Sequence, residues 1–245
     1  MKLTVIKFET IASTNDEAIR LAKLGVDEGM CITSRSQTDG RGRNGRIWVS
    51  PADSGLYFSI VLRPKIEPKF ISLLTLMTAV AVSETLKNTF SLTPDIKWVN
   101  DIHINGRKIC GILAEAFETE IGIAVVVGIG INLNSQNFPV EFCEIATSIM
   151  SETGEKPDIE NLLQNLTKQF LKLYENFDPK TIREMWTERS SYAFGKSVSV
   201  VLNDETIYGT TRGLEENGAL RVEIENNEIV IVQAGDVRSL RSSLI

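Results

Sequence analysis

The feature that most constrains the fold is a run of apolar, mostly β-branched residues at positions 121–133. Such a run is typical of a central strand that is buried on one or both faces of a sheet. The chain must therefore build a sheet around this strand and cover it with other elements.

The other predicted elements mix strands and helices, which defines an α+β fold. Strands are predicted at residues 3–8, 30–34, 56–62, 95–98 and 102–104, and helices at 14–25, 68–90, 158–176 and 179–190. Two overlapping capping patterns, Ser13 to Asp16 and Thr14 to Glu17, mark the start of the first helix. Asn105-Gly106 predicts a type I′ hairpin, because both central residues of that turn need positive φ. Residues 134–157 are predicted to form a loop.

After Gly195 the pattern changes to short alternating runs separated by turn-forming pairs. These pairs are Asn203-Asp204, Asn217-Gly218 and Asn226-Asn227. About five short strands within some 50 residues are typical of a small β-barrel. We therefore predict two domains, residues 1–190 and residues 191–245.

Composition and charge exclude several classes of protein. The 245 residues carry a net charge of −6, which argues against a general nucleic-acid binder. Three scattered cysteines predict reduced thiols in a cytoplasmic protein and not a disulfide scaffold. The single histidine, His103, argues against a His/Cys zinc site and is expected to be structural. From the opening residues we expect no signal peptide, and we expect residues 70–86 to be too polar to span a membrane and to form a buried helix.

A glycine- and arginine-rich segment at residues 37–51 is the most unusual part of the chain. Gly40, Gly42 and Gly45 match the dinucleotide pattern G-x-G-x-x-G, but a strand-like sequence follows where that motif requires a helix. A P-loop also fails, because Arg46 stands where that motif has lysine. The three arginines of this segment and Arg35 just before it, against the single acid Asp39, indicate a loop that closes over an anionic ligand; a solvated basic loop is the alternative.

Alternation along the apolar run places Gly128, Gly130, Asn132 and Asn134 on one face of the strand. Glycine inside a strand costs stability and usually indicates that something approaches the backbone closely. We expect that something to be a ligand; close packing between a helix and the sheet is the alternative.

A cation, an amide, a carboxylate and an aromatic ring are predicted to meet near one sheet edge, at Lys97-Trp98-Val99-Asn100-Asp101 and Lys108. Alternation places Lys108 on the same face as Cys110 and Ile112. A lysine in such apolar company is expected to pair with an anion.

These segments together resemble the biotin–protein ligase family. The matching motifs, in the family's order, are Ser13-Thr14-Asn15, Gln37-Thr38-x-Gly40-Arg41-Gly42-Arg43-x-Gly45-Arg46-x-Trp48, Lys97-Trp98-x-Asn100-Asp101, Lys108-x-x-Gly111-Ile112-Leu113, Gly128-x-Gly130-x-Asn132 and Ala146-Thr147-Ser148. With the predicted barrel they extend over essentially the whole chain, which makes the resemblance far more specific than a single glycine motif.

The resemblance implies both a fold and a reaction. The fold is a mixed sheet packed with helices, similar to class II synthetases, followed by an SH3-like barrel. In the reaction, the carboxylate of biotin attacks the α-phosphate of ATP with Mg²⁺ present, giving biotinyl-5′-adenylate and pyrophosphate. A lysine of a biotin carboxyl carrier protein then takes the biotinyl group. Family members include monomers and dimers, and we expect a homodimer.

The resemblance also assigns roles to particular residues. The biotin site would comprise Ser13, Thr14, Asn15, Gln37, Gly40, Arg41, Gly42, Arg43, Lys108 and Gly111. The ATP site would comprise Arg43, Arg46, Trp48, Asn100, Lys108, Gly130 and Asn132, with Asp101 as a magnesium contact. The catalytic residues would be Lys108, Arg41 and Arg43. No base for the acceptor lysine stands out.

The sequence departs from the family pattern in two places. Val99 stands where the family usually has proline, and because a strand tolerates valine we expect no loss of chemistry. The first strand begins at Leu3, so we do not expect the N-terminal helix-turn-helix that makes some bacterial members repressors, nor a role in binding DNA.

The alternative functions are those of a lipoate–protein ligase, a non-catalytic biotin-binding regulator and an RNA-binding module. Gln37 and Trp48 with the arginine-rich loop favour biotin over lipoate.

Overall fold

A seven-stranded mixed sheet forms the larger part of the fold. The computed structural model describes residues 1–136, 138–202, 205–233 and 235–239. The strands are β1 (Thr4–Ile11), β2 (Met30–Gln37), β3 (Gly55–Leu62), β4 (Asp95–Lys97), β5 (Asp101–Ile104), β6 (Arg107–Thr119) and β7 (Gly122–Asn132). Their order is β1-β2-β3-β7-β6-β5-β4, in which β1 and β2 run parallel and the other neighbours antiparallel. The predicted central strand is therefore confirmed as β7.

Helices cover both faces of this sheet. They are α1 (Thr14–Lys23), α2 (Leu73–Phe90), α3 (Ile149–Thr153), α4 (Ile159–Glu175) and α5 (Pro179–Glu188). On one face, α1 packs its alanines against Val61, Ala124 and Val126. On the other face, α2, α4 and α5 form the main core with the alternate residues of the same strands.

The segment Pro68–Phe90, which contains α2, is long and apolar enough to cross a membrane by length and composition alone, so the prediction that residues 70–86 are too polar for this is wrong. Two thirds of its apolar window, 67%, is buried inside the fold. Its side chains pack against the sheet and α4, which confirms the predicted buried helix.

The start of α1 shows which of the two predicted capping patterns forms. The Ser13 hydroxyl accepts a hydrogen bond from the Asp16 N–H at 3.4 Å, so Ser13 is the N-cap. The Thr14 pattern is wrong, because Thr14 is already helical and its hydroxyl donates to Gln37 Oε1 at 3.1 Å. This places Thr14 and Asn15 in the first turn of α1, facing the sheet.

The C-terminal part forms a five-stranded antiparallel sheet. Its strands are β8 (Phe194–Leu202), β9 (Glu205–Leu214), β10 (Leu220–Glu223), β11 (Ile229–Val232) and β12 (Asp236–Ser239), in the order β11-β10-β9-β8-β12. The predicted strands are confirmed, while closure of the barrel and the domain boundary at residue 191 stay predictions. The Asn203-Asp204 turn lies outside the described residues. Trp98 Nε1 donates to the Gly218 carbonyl at 3.0 Å, which joins the turn after β4 to the loop between β9 and β10.

Two local predictions fail and one is confirmed. Residues 134–157 are more than a loop, since they contain a 3₁₀ turn at Val140–Phe142 and the helix α3, which Ser148 caps. Val99 lies in the turn that reverses the chain between antiparallel β4 and β5, not in a strand, and the Trp98–Val99 peptide is cis. Asn105 and Gly106 have φ of 51° and 79°, which confirms the predicted hairpin turn.

The three cysteines are free thiols, as the sequence predicted, and they should differ sharply in reactivity. Burial raises the pKa of Cys31 to about 12 and raises the pKa of Cys110 still further above its usual range. Cys143 is exposed. We expect a thiol reagent at neutral pH to modify Cys143 rapidly and the other two only after unfolding in urea. Mass spectrometry of the modified peptides measures this, and rapid native labelling of Cys110 would contradict the buried position of β6.

Candidate active site

Two adjoining cavities lie on the face of the sheet that carries α1. The inner cavity, about 130 Å³ in volume, lies between the start of α1, β7 and the segment 41–48. The outer cavity, about 470 Å³, lies between the same segment, β5 and the segment 138–146. The residues that line both cavities are Arg46, Ile47, Trp48, Lys97, Asp101 and Lys108. We call these six residues the seam.

The structure brings the predicted site residues together. The inner cavity is lined by Ser13, Thr14, Asn15, Gln37, Arg41, Gly42, Arg43, Arg46, Trp48, Asn100, Asp101, Lys108, Gly111 and Gly130. Of the other two predicted residues, Asn132 lines the outer cavity. Gly40 packs under the loop, where a β-carbon would lie 2.2 Å from the Trp48 carbonyl oxygen, so its position serves the shape of the loop.

Neutral hydrogen-bonding groups form one end of the inner cavity. Gln37 Oε1 accepts from the Thr14 N–H at 2.8 Å and from the Thr14 hydroxyl at 3.1 Å. The hydroxyl of Ser59, a fully buried residue of β3, lies 2.8 Å from Thr14 Oγ1 and 2.7 Å from Asn15 Oδ1. The sequence reasoning missed Ser59, although a lone hydroxyl inside the otherwise apolar end of β3 was a signal. This end of the cavity suits a neutral polar group with both donors and acceptors.

A chain of hydrogen bonds links that polar end to Trp48. Gln37 Nε2 donates to Ser50 Oγ at 2.8 Å, and the Ser50 hydroxyl donates to the Trp48 carbonyl at 2.8 Å. Ser50 is buried, and the sequence reasoning missed it as well. The two ends of the site are therefore held at a fixed separation.

The glycines of β7 make room for side chains of the site. A β-carbon on Gly128 would lie 2.1 Å from Asn15 Oδ1, and one on Gly130 would lie 2.5 Å from the indole of Trp48. The predicted close approach to the strand is confirmed. At Gly128 the neighbour is Asn15 of α1, which is the alternative of close packing between a helix and the sheet, and at Gly130 it is the Trp48 indole. Because both side chains line the inner cavity, the glycines set its shape from below.

Lys108 lies at the seam and not on the face that alternation predicted. Its Nζ is 2.7 Å from Asp101 Oδ1 and 5.2 Å from the centre of the Trp48 ring. It shares a face with Gly111, whose β-carbon would come within 3.2 Å of Nζ. The register between β5 and β6 shifts between Ile102 and His103, and this bulge turns Lys108 away from the face of Cys110. The predicted pairing of Lys108 with an anion is confirmed.

Arginines of the segment 38–47, which we call the arginine loop, contact the walls of the inner cavity. Arg41 forms ion pairs with Asp16 and with Glu115, the latter at 2.6 Å. Arg43 Nη1 donates to Asn100 Oδ1 at 3.2 Å. The predicted contacts of Arg41 with biotin and phosphate stay predictions, since its guanidinium here faces two carboxylates of the chain.

The outer cavity combines an amide with an apolar wall. Asn132 Nδ2 donates to the Thr147 carbonyl at 2.9 Å, and this holds the segment 138–146 against β7. The wall comprises Phe138, Pro139, Phe142 and Ile145. The sequence reasoning missed this wall, although apolar residues recur within the predicted loop. Within the part of the chain that the structure describes, the buried Trp48 Nε1 has no hydrogen-bond partner.

His103, which the sequence analysis expects to be structural, also lines the outer cavity. Burial, and after it the charge of Lys97, holds the pKa of His103 below its usual range. This shift favours the neutral imidazole beside the seam.

Comparisons with known proteins identify the family. Residues 7–132 match the family model "Biotin/lipoate A/B protein ligase family", and residues 193–238 match "Biotin protein ligase C terminal domain". The chain is 36% identical over 244 residues to the bifunctional ligase/repressor BirA of Bacillus subtilis (strain 168), covering 95% of this chain and 73% of that protein. It is 33% identical to the biotin–[acetyl-CoA-carboxylase] ligase of Paracoccus denitrificans, covering 85% of this chain and 89% of that one.

A solved structure supports the same assignment. The biotin protein ligase from Aquifex aeolicus, in complex with biotin and ATP, superposes with a TM-score of 0.84 at 29% identity, covering 97% of this chain and 99% of that chain. The fold, the two cavities and these matches define a ligase of the adenylating kind. The chain belongs to the biotin/lipoate A/B protein ligase family.

Proposed function

We propose that this protein is a biotin–protein ligase, which activates biotin with ATP to biotinyl-5′-AMP and transfers biotin to a lysine of a carrier protein. The observation that carries the proposal is the seam. It places three cationic side chains, Arg46, Lys97 and Lys108, where a small polar cavity meets a larger one with an apolar wall. A carboxylate in the first cavity and the α-phosphate of a nucleotide in the second meet there.

Biotin occupies the inner cavity in this proposal. Its ureido head group offers N–H donors and a carbonyl acceptor, which match the amide and hydroxyl groups of Thr14, Asn15 and Gln37. Its carboxylate then points to the seam, where Lys108 offsets the repulsion between carboxylate and phosphate and stabilises the charge that develops at phosphorus. Arg43, which also lines this cavity, adds bidentate donors for the same phosphate.

ATP occupies the outer cavity. Its adenine lies against the apolar wall, its phosphates lie toward Arg46 and Lys97, and its α-phosphate lies at the seam. The buried indole N–H of Trp48 is a donor that an oxygen of the substrates would satisfy. Asn132 acts here by holding the wall in place, because its amide hydrogen atoms are engaged by the Thr147 and Lys108 carbonyls.

Magnesium fits this site as a companion of the nucleotide and not as a resident ion. Among the described residues no group of three His, Cys, Asp or Glu side chains could hold a metal ion. Mg²⁺ is usually held by one or two carboxylates together with substrate phosphates. Asp101 supplies one such carboxylate at the seam, where Lys108 already shares one of its oxygens.

The transfer step requires that the adenylate be kept from water until the acceptor arrives. The arginine loop covers the inner cavity and supplies that shield. The neutral amine of the acceptor lysine attacks the carbonyl carbon of the mixed anhydride and the amide bond forms. The bond from that carbon to the phosphate oxygen breaks, AMP leaves with its electron pair, and the nitrogen releases one proton to solvent. The partner of this step is a biotin carboxyl carrier protein.

We also propose a cytoplasmic location, which three free thiols support. The homodimer expected from the sequence stays a prediction, and sedimentation velocity of the purified chain measures it.

The first experiment is ATP–pyrophosphate exchange with Mg²⁺, comparing added biotin, added lipoate and no addition. We expect exchange with biotin alone, followed by labelling of a carrier protein when one is supplied. Exchange with lipoate alone would assign the other substrate to the same fold, and the absence of exchange with either would leave a binding protein that is not an enzyme.

A further inference from the structure

Glu115 is a carboxylate of the candidate active site. It lies outside the sequence motifs that resemble the biotin–protein ligase family. It lies on β6 beside the arginine loop and pairs across the sheet with Val126. We propose that Glu115 is a positioning residue that couples closure of the arginine loop to the orientation of Asn15. The proposal rests on the proposed function, because Asn15 and the loop are the parts that would hold biotin.

The two oxygens of Glu115 are divided between the loop and the floor of the cavity. Oε1 accepts from Arg41 Nη2 at 2.6 Å, and Oε2 accepts from Asn15 Nδ2 at 3.0 Å. A second ion pair joins Arg41 to Asp16 in the first turn of α1. The Glu115 carboxylate on β6 therefore contacts Arg41 of the arginine loop, which covers the inner cavity, and Asn15 of α1, which lines it.

Glu115 also fixes which way the amide of Asn15 points. Ser59 donates to Asn15 Oδ1 at 2.7 Å, while Glu115 and the more distant Leu113 carbonyl, at 3.3 Å, accept from Nδ2. An amide side chain has an acceptor end and a donor end, and this arrangement permits only one of its two flipped orientations. Asn15 then presents a defined hydrogen-bonding pattern to the cavity.

The coupling has a direct consequence for binding. The Arg41 and Glu115 side chains are 36% and 27% exposed, and their 2.6 Å contact is a charge-assisted hydrogen bond, which is stronger than a neutral one. When the loop opens, Glu115 loses its cation and Asn15 loses a partner that is held in place. Biotin that requires the oriented Asn15 therefore favours the closed loop, and the closed loop retains the adenylate.

The variant Glu115→Gln tests this coupling, because it keeps an acceptor for Asn15 but loses the charge that holds Arg41. Its control is Glu118→Gln, an exposed carboxylate of the same strand. We expect the KM for biotin in pyrophosphate exchange to rise about tenfold, and the KM for ATP to change less than threefold, as loss of one charge-assisted contact predicts. More adenylate should escape, measured as AMP formed per carrier labelled.

Trypsin reports on the loop without any activity, since cleavage after Arg41, Arg43 and Arg46 requires the loop to open. We expect Glu115→Gln to be cut at these sites at least fivefold faster than the wild type or Glu118→Gln, with an unchanged melting temperature. Faster cleavage with an unaltered KM for biotin would overturn the coupling, and a raised KM without faster cleavage would overturn the role in closing the loop.

A second variant guards against a folding defect. Arg41→Gln breaks the same ion pair from the loop side and also the pair with Asp16. Cleavage is therefore scored after Arg43 and Arg46, and the double variant should be no more trypsin-sensitive there than Arg41→Gln alone if Glu115 acts on the loop through Arg41. Additive effects would overturn the proposal. The trypsin comparison needs no substrate, so it stands even if the wild type fails to exchange pyrophosphate with biotin, an outcome that would remove the proposed function alone.

Discussion

Replacing Lys108 by alanine is expected to reduce biotin-dependent pyrophosphate exchange by about 100-fold or more, the usual scale for removing one preorganised stabilising group. The side chain lies at the seam, paired with Asp101 and placed over the Trp48 ring. Without it, carboxylate and phosphate meet without the cation that is paired with Asp101, and the Asp101 carboxylate adds a further negative charge to their repulsion. The fall should therefore appear in kcat as well as in the KM values.

The fold should survive this change, because the Lys108 side chain is 31% exposed and lies at a cavity between elements of the fold. The matched control is Lys168→Ala, an exposed lysine of α4 far along the chain from the seam. Melting temperatures of the two variants should agree with the wild type to within a few degrees. Exchange above a tenth of the wild-type rate in Lys108→Ala would remove the catalytic role assigned to it.

The framework of the fold was predictable because local signals and burial agreed there. The run at residues 121–133 had to be a central strand, and the Asn105-Gly106 turn had to reverse the chain, since few other structures accommodate those residues. The capping of α1 was ambiguous from sequence, because adjacent Ser13 and Thr14 both fit the cap position. The hydrogen bond from the Thr14 hydroxyl to Gln37 of β2 removes Thr14 as the cap, and the sequence does not show that contact.

The site was predictable in composition but not in its contacts. Alternation assumes an unbroken strand, so the bulge in β6 that turns Lys108 toward the seam was invisible in the sequence. Ser59 and Glu115 act through residues that lie 44 and 100 positions away along the chain, and no local pattern reports such a pair. The helix α3 was missed because a helix of five residues leaves almost no periodic signal.

Gly128→Ala and Gly130→Ala are expected to damage different substrates, although the two positions lie side by side on one face of β7. The new methyl group at 128 would meet Asn15 Oδ1 at 2.1 Å, and the one at 130 would meet the Trp48 indole at 2.5 Å. Neither glycine has a positive φ, so alanine fits the strand backbone and the cost is steric. Overpacking typically costs about 1–3 kcal/mol, which corresponds to roughly 5- to 150-fold in affinity.

Asn15 has little freedom to move away, because Ser59, Leu113 and Glu115 all hold its amide. Gly128→Ala should therefore raise the KM for biotin at least tenfold and leave the KM for ATP within about threefold. Trp48 lies at the seam, so Gly130→Ala should raise the KM for ATP by a similar factor and affect biotin less. Initial rates of pyrophosphate exchange, with each substrate varied in turn, separate the two effects.

Val126→Ala is the control for general weakening of β7, since Val126 lies on the same face and packs against α1. It removes atoms and adds none at the site, so it should lower the melting temperature while both KM values stay near the wild type. One result would contradict the assignment of biotin and ATP to separate cavities. If both glycine variants raised the two KM values by the same factor, biotin and ATP would not occupy separate cavities joined at the seam.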